Sequence, residues 1–309
     1  MNRPFAVRVS EVSHSYGSHQ ALDNVGFEVA PREIFGLLGP NGGGKTTLFR
    51  ILATLLPIQH GTVEIDGHDA RSDVAGLRSR IGVVFQSPSL DIKLTVRENM
   101  LHHGHLYGLY GSTLSTAVAA GLSRVGLTDR SGDMVETLSG GLKRRVEVAK
   151  GLLSEPSVLI LDEPSTGLDP GARRDLWAYL AALREESGTT ILVTTHLMEE
   201  AEHCDRLGIL DRGRIVSSGT AETLRSKIGG DILTIRAESA DTLCTALNER
   251  FGQRANVVNG TVRLESPDAR HLIRQIYEAF PEQVDTISLG RPTLEDVFIH
   301  ETGHQFWNE

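Results

Sequence analysis

The sequence predicts an α/β fold organised on a parallel sheet, followed by a small α+β unit. Three observations carry this. Residues 158–161 and Thr190–Thr195 are short, uninterrupted apolar runs. Continuous rather than alternating hydrophobicity suits strands covered on both faces, as in parallel sheets. Helical stretches at 171–186 and 197–204 alternate with those runs, and strands alternating with helices build a parallel sheet. Beyond a boundary at 227–230, the pattern reads strand (232–236), helix (241–251), strand (255–258), strand (261–265), helix (268–280), strand (284–288). That βαββαβ order suggests a split-βαβ domain.

The earlier elements follow from the same signals. Residues 6–12 and 21–29 read as strands joined by a polar turn at Gly17 and Ser18. Residues 33–38 form a short apolar strand, a glycine-rich turn follows, and a helix runs from 45 to 56 with Pro57 at its end. Residues 62–65 with the Asp66-Gly67 turn suggest a hairpin. Residues 81–85 read as a buried strand, 95–153 as helical, and 209–219 as a last hairpin turning at Arg212-Gly213. The expected domains are 1–226 and 227–309, without internal repeats or low-complexity tracts.

Bulk properties bound the function. The chain has 309 residues, 39% hydrophobic and 23% charged, with a net charge of −9. A nucleic-acid binder usually carries a basic face, so no nucleic-acid partner is expected. The run Lys143-Arg144-Arg145 is read as solvated and interfacial, and His102, His103 and His105 as a solvated helical face. Cys204 and Cys244 match no metal-ligand spacing and read as reduced thiols. The first ten residues have no apolar core, so no signal peptide is expected. No stretch approaches the roughly 18 apolar residues that span a bilayer. If the protein acts on a membrane, another chain has to cross it.

Gly39-Pro40-Asn41-Gly42-Gly43-Gly44-Lys45-Thr46-Thr47 fits G-x-x-x-x-G-K-[ST], after a strand and opening a helix. Glycines let backbone amides turn inward around phosphate oxygens, and the helix N-terminus adds positive potential. Lys45 can reach the β- and γ-phosphates and Thr46 can ligate Mg²⁺. The run 158–161 ends in Asp162-Glu163-Pro164. Asp162 suits a strand-end Mg²⁺ carboxylate, and Glu163, one residue on, is placed to activate or position a water. Leu138-Ser139-Gly140-Gly141 opens a second helix, with Leu142, Val146, Ala149 and Leu153 at helical spacing. Ser139 is a plausible N-cap. That helix start could take a phosphate, though local signals alone fit an ordinary capped helix.

Together these residues resemble the ATP-binding subunits of ABC transporters. Leu138-Ser139-Gly140-Gly141 matches that family's signature, Gln86 its Q-loop, Ser165-Thr166-Gly167-Leu168-Asp169 its D-loop, and His196 its switch histidine. Tyr16 matches the aromatic residue that stacks on adenine. The resemblance covers roughly residues 4–226 with all motifs in family order. It implies a P-loop NTPase of ABC type, with a parallel-sheet core, an N-terminal antiparallel β-subdomain and a helical signature subdomain. It further implies an ATPase using ATP and Mg²⁺, with Thr46, Gln86 and Asp162 at the metal, Glu163 as base and His196 at the γ-phosphate. It implies a head-to-tail dimer of two copies, with Ser139, Gly140, Gly141 and Asp169 acting across the interface. Gly43 stands where the family often has Ala or Ser, Ser165 where Thr is common and Leu142 where Gln is common.

The tail segment Arg291-Pro292-Thr293-Leu294-Glu295-Asp296-Val297-Phe298-Ile299 resembles a C-terminal motif of drug-resistance ATPases of the daunorubicin-exporter type. That group works with a separate polytopic permease, mostly in export. The resemblance therefore implies a multidrug-export-type motor, peripheral on the cytoplasmic face of the cell membrane. The C-terminal domain reads as a structural or dimer-stabilising appendage in preference to a ligand sensor.

Overall fold

The computed structural model describes residues 5–252 and 255–306. The chain divides between Ser218 and Gly219 into two compact units.

In chain order the first unit contains β1 (Val7–Tyr16), β2 (His19–Val29), β3 (Ile34–Leu38), α1 (Lys45–Leu52), β4 (His60–Ile65), β5 (His68–Asp69) and α2 (Val74–Arg78). It continues with β6 (Ile81–Val84), α3 (Val96–Leu106), α4 (Gly111–Arg124), α5 (Gly140–Gly151), β7 (Val158–Asp162), α6 (Pro170–Ser187), β8 (Thr190–Thr195), α7 (Met198–Ala201), β9 (Arg206–Asp211) and β10 (Arg214–Gly219). Six strands form the central sheet in the order β10-β9-β3-β8-β7-β6. The five from β9 to β6 run parallel. Every residue of β3, β7 and β8 is buried, which is why these strands read as continuous apolar runs. At the sheet's edge β9 turns into β10 through Arg212 and Gly213, both at positive φ (45° and 77°), as a two-residue hairpin loop requires.

A second, antiparallel sheet takes the order β2-β1-β4-β5. Its inward residues, among them Val7, Val9, Leu22 and Val63, share one core with α1 and the central sheet. The predicted long helical region is three helices, α3, α4 and α5, around a separate core that includes Met100, Leu114, Leu122 and Val146. Gly108, Gly111 and Gly126 interrupt it at positive φ. The α3 start is a capping box, in which the Thr95 amide donates to Glu98 Oε2 (2.8 Å) and the Glu98 amide donates back to Thr95 Oγ1 (3.2 Å). The predicted helix at 45–56 stops early, at Leu52. Thr54 adopts φ 59°, and its hydroxyl and carbonyl accept from Arg78 (2.8 and 3.3 Å). A tertiary anchor overrides the apolar run there.

The second unit contains α8 (Ala221–Arg225), β11 (Asp231–Ala237), α9 (Ala240–Phe251), β12 (Asn256–Val258), β13 (Thr261–Ser266), α10 (Ala269–Ala279), β14 (Val284–Gly290) and α11 (Leu294–Thr302). Its sheet order is β12-β13-β11-β14 with antiparallel neighbours. β13 inserts between β11 and β12, the split-βαβ arrangement. Leu233, Ile235, Leu243, Leu264 and Ile276 close its core. The tail segment forms the cap and first turns of α11, where Asp296 Oδ2 accepts from the Thr293 amide at 2.8 Å. α8 packs on α11, which is why the second unit starts ahead of residue 227.

One close approach locks the central sheet to the helical region. A Cβ on Gly82 of β6 would overlap the carbonyl oxygen of Gly151, the last residue of α5. Gly82→Ala is therefore expected to cost about 1–3 kcal/mol, read as a lower midpoint in thermal melting. An unchanged midpoint would show that β6 and α5 separate freely.

Candidate active site

The glycine turn leaves the C-terminal end of β3 and delivers the chain into α1. Gly44, the residue before α1, has φ 104° and provides no side-chain cap. The first amides of α1 therefore have no side-chain acceptor, as an anion cradle needs. A Cβ on Gly39 would overlap the Leu210 carbonyl, and one on Gly44 would stand 2.7 Å from the Ala21 carbonyl. The turn is thus fixed by backbone packed on backbone. Lys45 folds back over it, donating to the carbonyls of Gly39 (2.8 Å) and Pro40 (2.9 Å). Burial lowers the Lys45 pKa, while Glu163 and Asp162 act in the opposite sense. A cleft of about 290 Å³ opens here, lined among others by Tyr16, Asn41, Gly42, Thr46, Thr47 and Gln86. Tyr16 ends β1 and is 45% exposed.

Asp162 ends β7 and Glu163 follows it, and both are buried. Asp162 Oδ1 accepts from the Thr194 hydroxyl at 2.6 Å. The Glu163 amide donates to the same hydroxyl oxygen at 3.0 Å and to the Thr194 carbonyl at 3.1 Å. One hydroxyl on the neighbouring strand therefore orients both acids. Glu163 sits at φ 43°, a left-handed conformation that is uncommon for non-glycine residues. Its Oε2 accepts from Gln86 Nε2 (3.0 Å) and Thr166 Oγ1 (3.3 Å), and lies 2.9 Å from His196 Nδ1. Its Oε1 lies 3.4 Å from Lys45 Nζ. Lys45, Gln86, Glu163 and His196 thus converge around one carboxylate.

Ser139, Gly140 and Gly141 do not line this cleft. Ser139 N-caps α5, its hydroxyl accepting from the Leu142 amide at 3.3 Å. Asp169 likewise caps α6, its carboxylate accepting from the Ala172 amide at 2.9 Å. Both helix starts stand apart from the chain's own phosphate cradle.

The ABC transporter family profile matches residues 22–166. The chain is 37% identical over 307 residues to the daunorubicin resistance ATP-binding protein DrrA3 of Streptomyces coeruleorubidus, over 96% of each protein. The chain belongs to the ATP-binding proteins of ABC transporters. It is also 38% identical over 311 residues to the Nod factor export ATP-binding protein I of Sinorhizobium fredii, spanning 97% of this chain and 87% of that protein. The solved structure of cbiO1 from Clostridium perfringens, part of the ABC transporter complex cbiONQ, matches with a TM-score of 0.68 at 26% identity. That match covers 81% of this chain and 97% of cbiO1. The ABC ATP-binding subunit described here is an ATPase, and it binds ATP.

The structure adds residues to this cassette that the sequence did not single out. The basic run at 143–145 was expected to be solvated, but Arg144 is buried. Its guanidinium donates to the Phe85 carbonyl (2.6 Å) and the Asp162 carbonyl (3.3 Å), joining α5 to the strand ends beside Gln86 and Glu163. One and two turns on, Glu147 accepts from the Ser89 amide (2.6 Å) and hydroxyl (2.7 Å), while Lys150 donates to the Ser89 carbonyl at 2.9 Å. Their spacing of three along α5 was the only available signal. His103 also departs from the solvated reading, since burial pushes it down to about 4, with its ring 5.1 Å from that of Tyr107.

Asp162 gives a test of the site's electrostatics. Burial raises its pKa against the Thr194 hydrogen bond, Glu163 adds to the rise, and Lys45 opposes it. A carboxyl raised in this way stabilises the fold while protonated, and the contribution is lost as pH rises through the folded-state pKa. At neutral pH the charge is a cost. Asp162→Asn, whose Oδ1 still accepts from Thr194, is expected to melt at or above wild type in nucleotide-free protein. A loss beyond about 1 kcal/mol, the worth of one hydrogen bond, would show that the fold needs the charge.

Proposed function

We propose that this subunit drives a separate multi-span permease in export, as a head-to-tail dimer of two copies. The observation carrying this is the separation of two half-sites on one chain. The cradle at Lys45 is open, while the α5 start at Ser139, Gly140 and Gly141 faces no cradle of its own. In the dimer each ATP lies between the cradle of one copy and those three residues of the other, and Asp169 meets the interface.

Within that site Lys45 exchanges the carbonyls of Gly39 and Pro40 for phosphate oxygens, and the amides from Gly42 to Thr47 hold the remaining phosphate charge. Tyr16 lies at the cleft edge to stack on adenine. Thr46, Gln86 and Asp162 offer the hard oxygen donors that suit Mg²⁺. Among the described residues no cluster of three His, Cys, Asp or Glu side chains could hold a metal unaided. That accords with an ion bound through one carboxylate and the nucleotide's own phosphates. Mg²⁺, when bound, supplies neutralisation of phosphate charge. Glu163 orients the attacking water and takes its proton, and His196 beside it contacts the γ-phosphate. Gln86 links this carboxylate to a loop tied to α5 through Arg144 and Glu147, a route from hydrolysis to movement.

Among the described residues no helix is long and apolar enough to cross a membrane. A partner permease would place the subunit on the cytoplasmic face. The names of the relatives, one a resistance protein and one an export protein, support export. The C-terminal unit acts in this reading as a structural or dimer-stabilising appendage.

Glu163→Gln keeps the side chain's size and removes its basicity. It is expected to retain ATP binding, to lower turnover by about 10²-fold or more, and to accumulate as a dimer with ATP and Mg²⁺ on gel filtration. Captured from solubilised membranes in that state, it should bring down one polytopic membrane protein. Brisk hydrolysis by this variant would overturn the base assignment. Capture of ribosomal or assembly proteins without a membrane chain would overturn the transport reading.

A further inference from the structure

Glu200 of α7 does not line the nucleotide cleft, yet its carboxylate is buried with 1% of the residue exposed. A carboxylate so deep is costly unless donors surround it. Its Oε1 accepts from the hydroxyl of Ser165, two residues after Glu163. Its Oε2 accepts from the hydroxyl of Thr195 at 2.6 Å, one residue before His196. The Arg173 Nε lies 3.7 Å from Oε1, on the first turn of α6, the helix capped by Asp169. Three segments that each carry a site residue therefore meet on one buried anion.

We propose that Glu200 is a positioning residue that sets Glu163 against His196 and ties both to the start of α6. The inference rests on the roles proposed above for Glu163 and His196. Its physical content lies in the turns it anchors. Glu163 holds a left-handed conformation that the backbone alone disfavours. Directly after it, the Thr166 amide donates to the Glu163 carbonyl (3.2 Å) and the Leu168 amide to the Ser165 carbonyl (3.0 Å). Fixing Ser165 fixes that turn. On the other side, the Thr195 hydroxyl donates to Glu200 and also accepts from the Leu197 amide at 3.0 Å. That bridge shapes the exit from β8 that brings His196 to Glu163.

Burial raises the Glu200 pKa, and the Thr195 hydrogen bond and the Arg173 charge oppose the rise. Two hydroxyl donors and a guanidinium converge, and a carboxylate only accepts. An amide would bring a donor where donors already meet. Cradle residues such as Lys45 and Thr46 stand on other elements, so disturbing Glu200 moves Glu163 and His196 while leaving the cradle's own phosphate contacts in place. A displacement of about 1 Å among reacting groups can cost on the order of 10²-fold in rate.

The experiment is steady-state ATP hydrolysis by the full chain, comparing wild type, Glu163→Gln, Glu200→Gln and Glu200→Asp, with thermal melts of each. Loss of hydrolysis in Glu163→Gln establishes the base independently of Glu200. Glu200→Gln is then expected to lower kcat by about tenfold or more with KM for ATP within about twofold of wild type. Glu200→Asp, which keeps the charge on a shorter arm, should recover part of that loss. A kcat for Glu200→Gln within twofold of wild type would overturn the inference, as would an equal effect on kcat and KM. If Glu200→Gln does not fold, Ser165→Ala and Thr195→Val remove the anchors singly, each expected to lower kcat by about threefold or more at unchanged KM. Wild-type kcat in both would overturn it equally.

Discussion

Two adjacent carboxylates buried at the end of β7 are the constraint around which the first unit is arranged. Asp162 is the last residue of β7 and Glu163 the first beyond it, and burial makes each charge expensive. The structure meets this with one hydroxyl from the neighbouring strand, Thr194, that donates to Asp162 and accepts from the Glu163 amide. The chain then leaves the strand through a left-handed residue, which swings the Glu163 carboxylate toward Lys45, Gln86 and His196. The parallel register of β7 and β8 puts Thr194 directly beside Asp162. A slip that paired Asp162 with Val193 would leave it with no hydroxyl, so sheet register and site chemistry are linked.

The same economy extends outward through buried charges. Arg144 spans from α5 to the carbonyls of Phe85 and Asp162, and Glu147 with Lys150 grips the backbone of Ser89 from both sides. Charged side chains that hold backbone rather than each other give a directional attachment, because a carbonyl or amide offers a donor or acceptor only along a fixed line. The loop bearing Gln86 is therefore carried by α5, the helix whose start bears Ser139 and Gly140. Gln86 in turn donates to the Glu163 carboxylate.

Much of this was legible in the sequence, for identifiable reasons. The parallel strands were readable because full burial leaves them uniformly apolar, and the glycine turn was readable because its backbone-on-backbone contacts tolerate no side chain. The βαββαβ order of the second unit was visible in its alternating periods. What stayed hidden depends on contacts between residues distant in the chain. Helix α1 ends at Leu52 because Arg78 captures Thr54, and nothing local announces that. Arg144 looked solvated because a basic run carries no mark of which member turns inward. Thr194 looked like one more strand residue, and its role exists only through the neighbouring strand.

The separation of the two half-sites explains why so much hydrogen bonding is invested in fixing short loops. A site completed within one chain could rely on its own packing to set the distance between nucleotide and catalytic groups. In the proposed dimer the helix starts at Ser139 and Asp169, which stand apart from the chain's own cradle, matter to a second copy that contributes nothing to holding them before association. Each is referenced to the carboxylates at the end of β7 by a buried charge. Arg144 refers the α5 start to the β7 end, and Glu200 with Arg173 refers the α6 start to the segments after Glu163 and before His196. Preorganisation of this kind shifts the ordering cost from the moment of association to the folding of the monomer. In the proposed dimer, closure of two copies then requires rigid pieces to meet, and the placing of Glu163 against His196 is set inside each chain by its own hydrogen bonds.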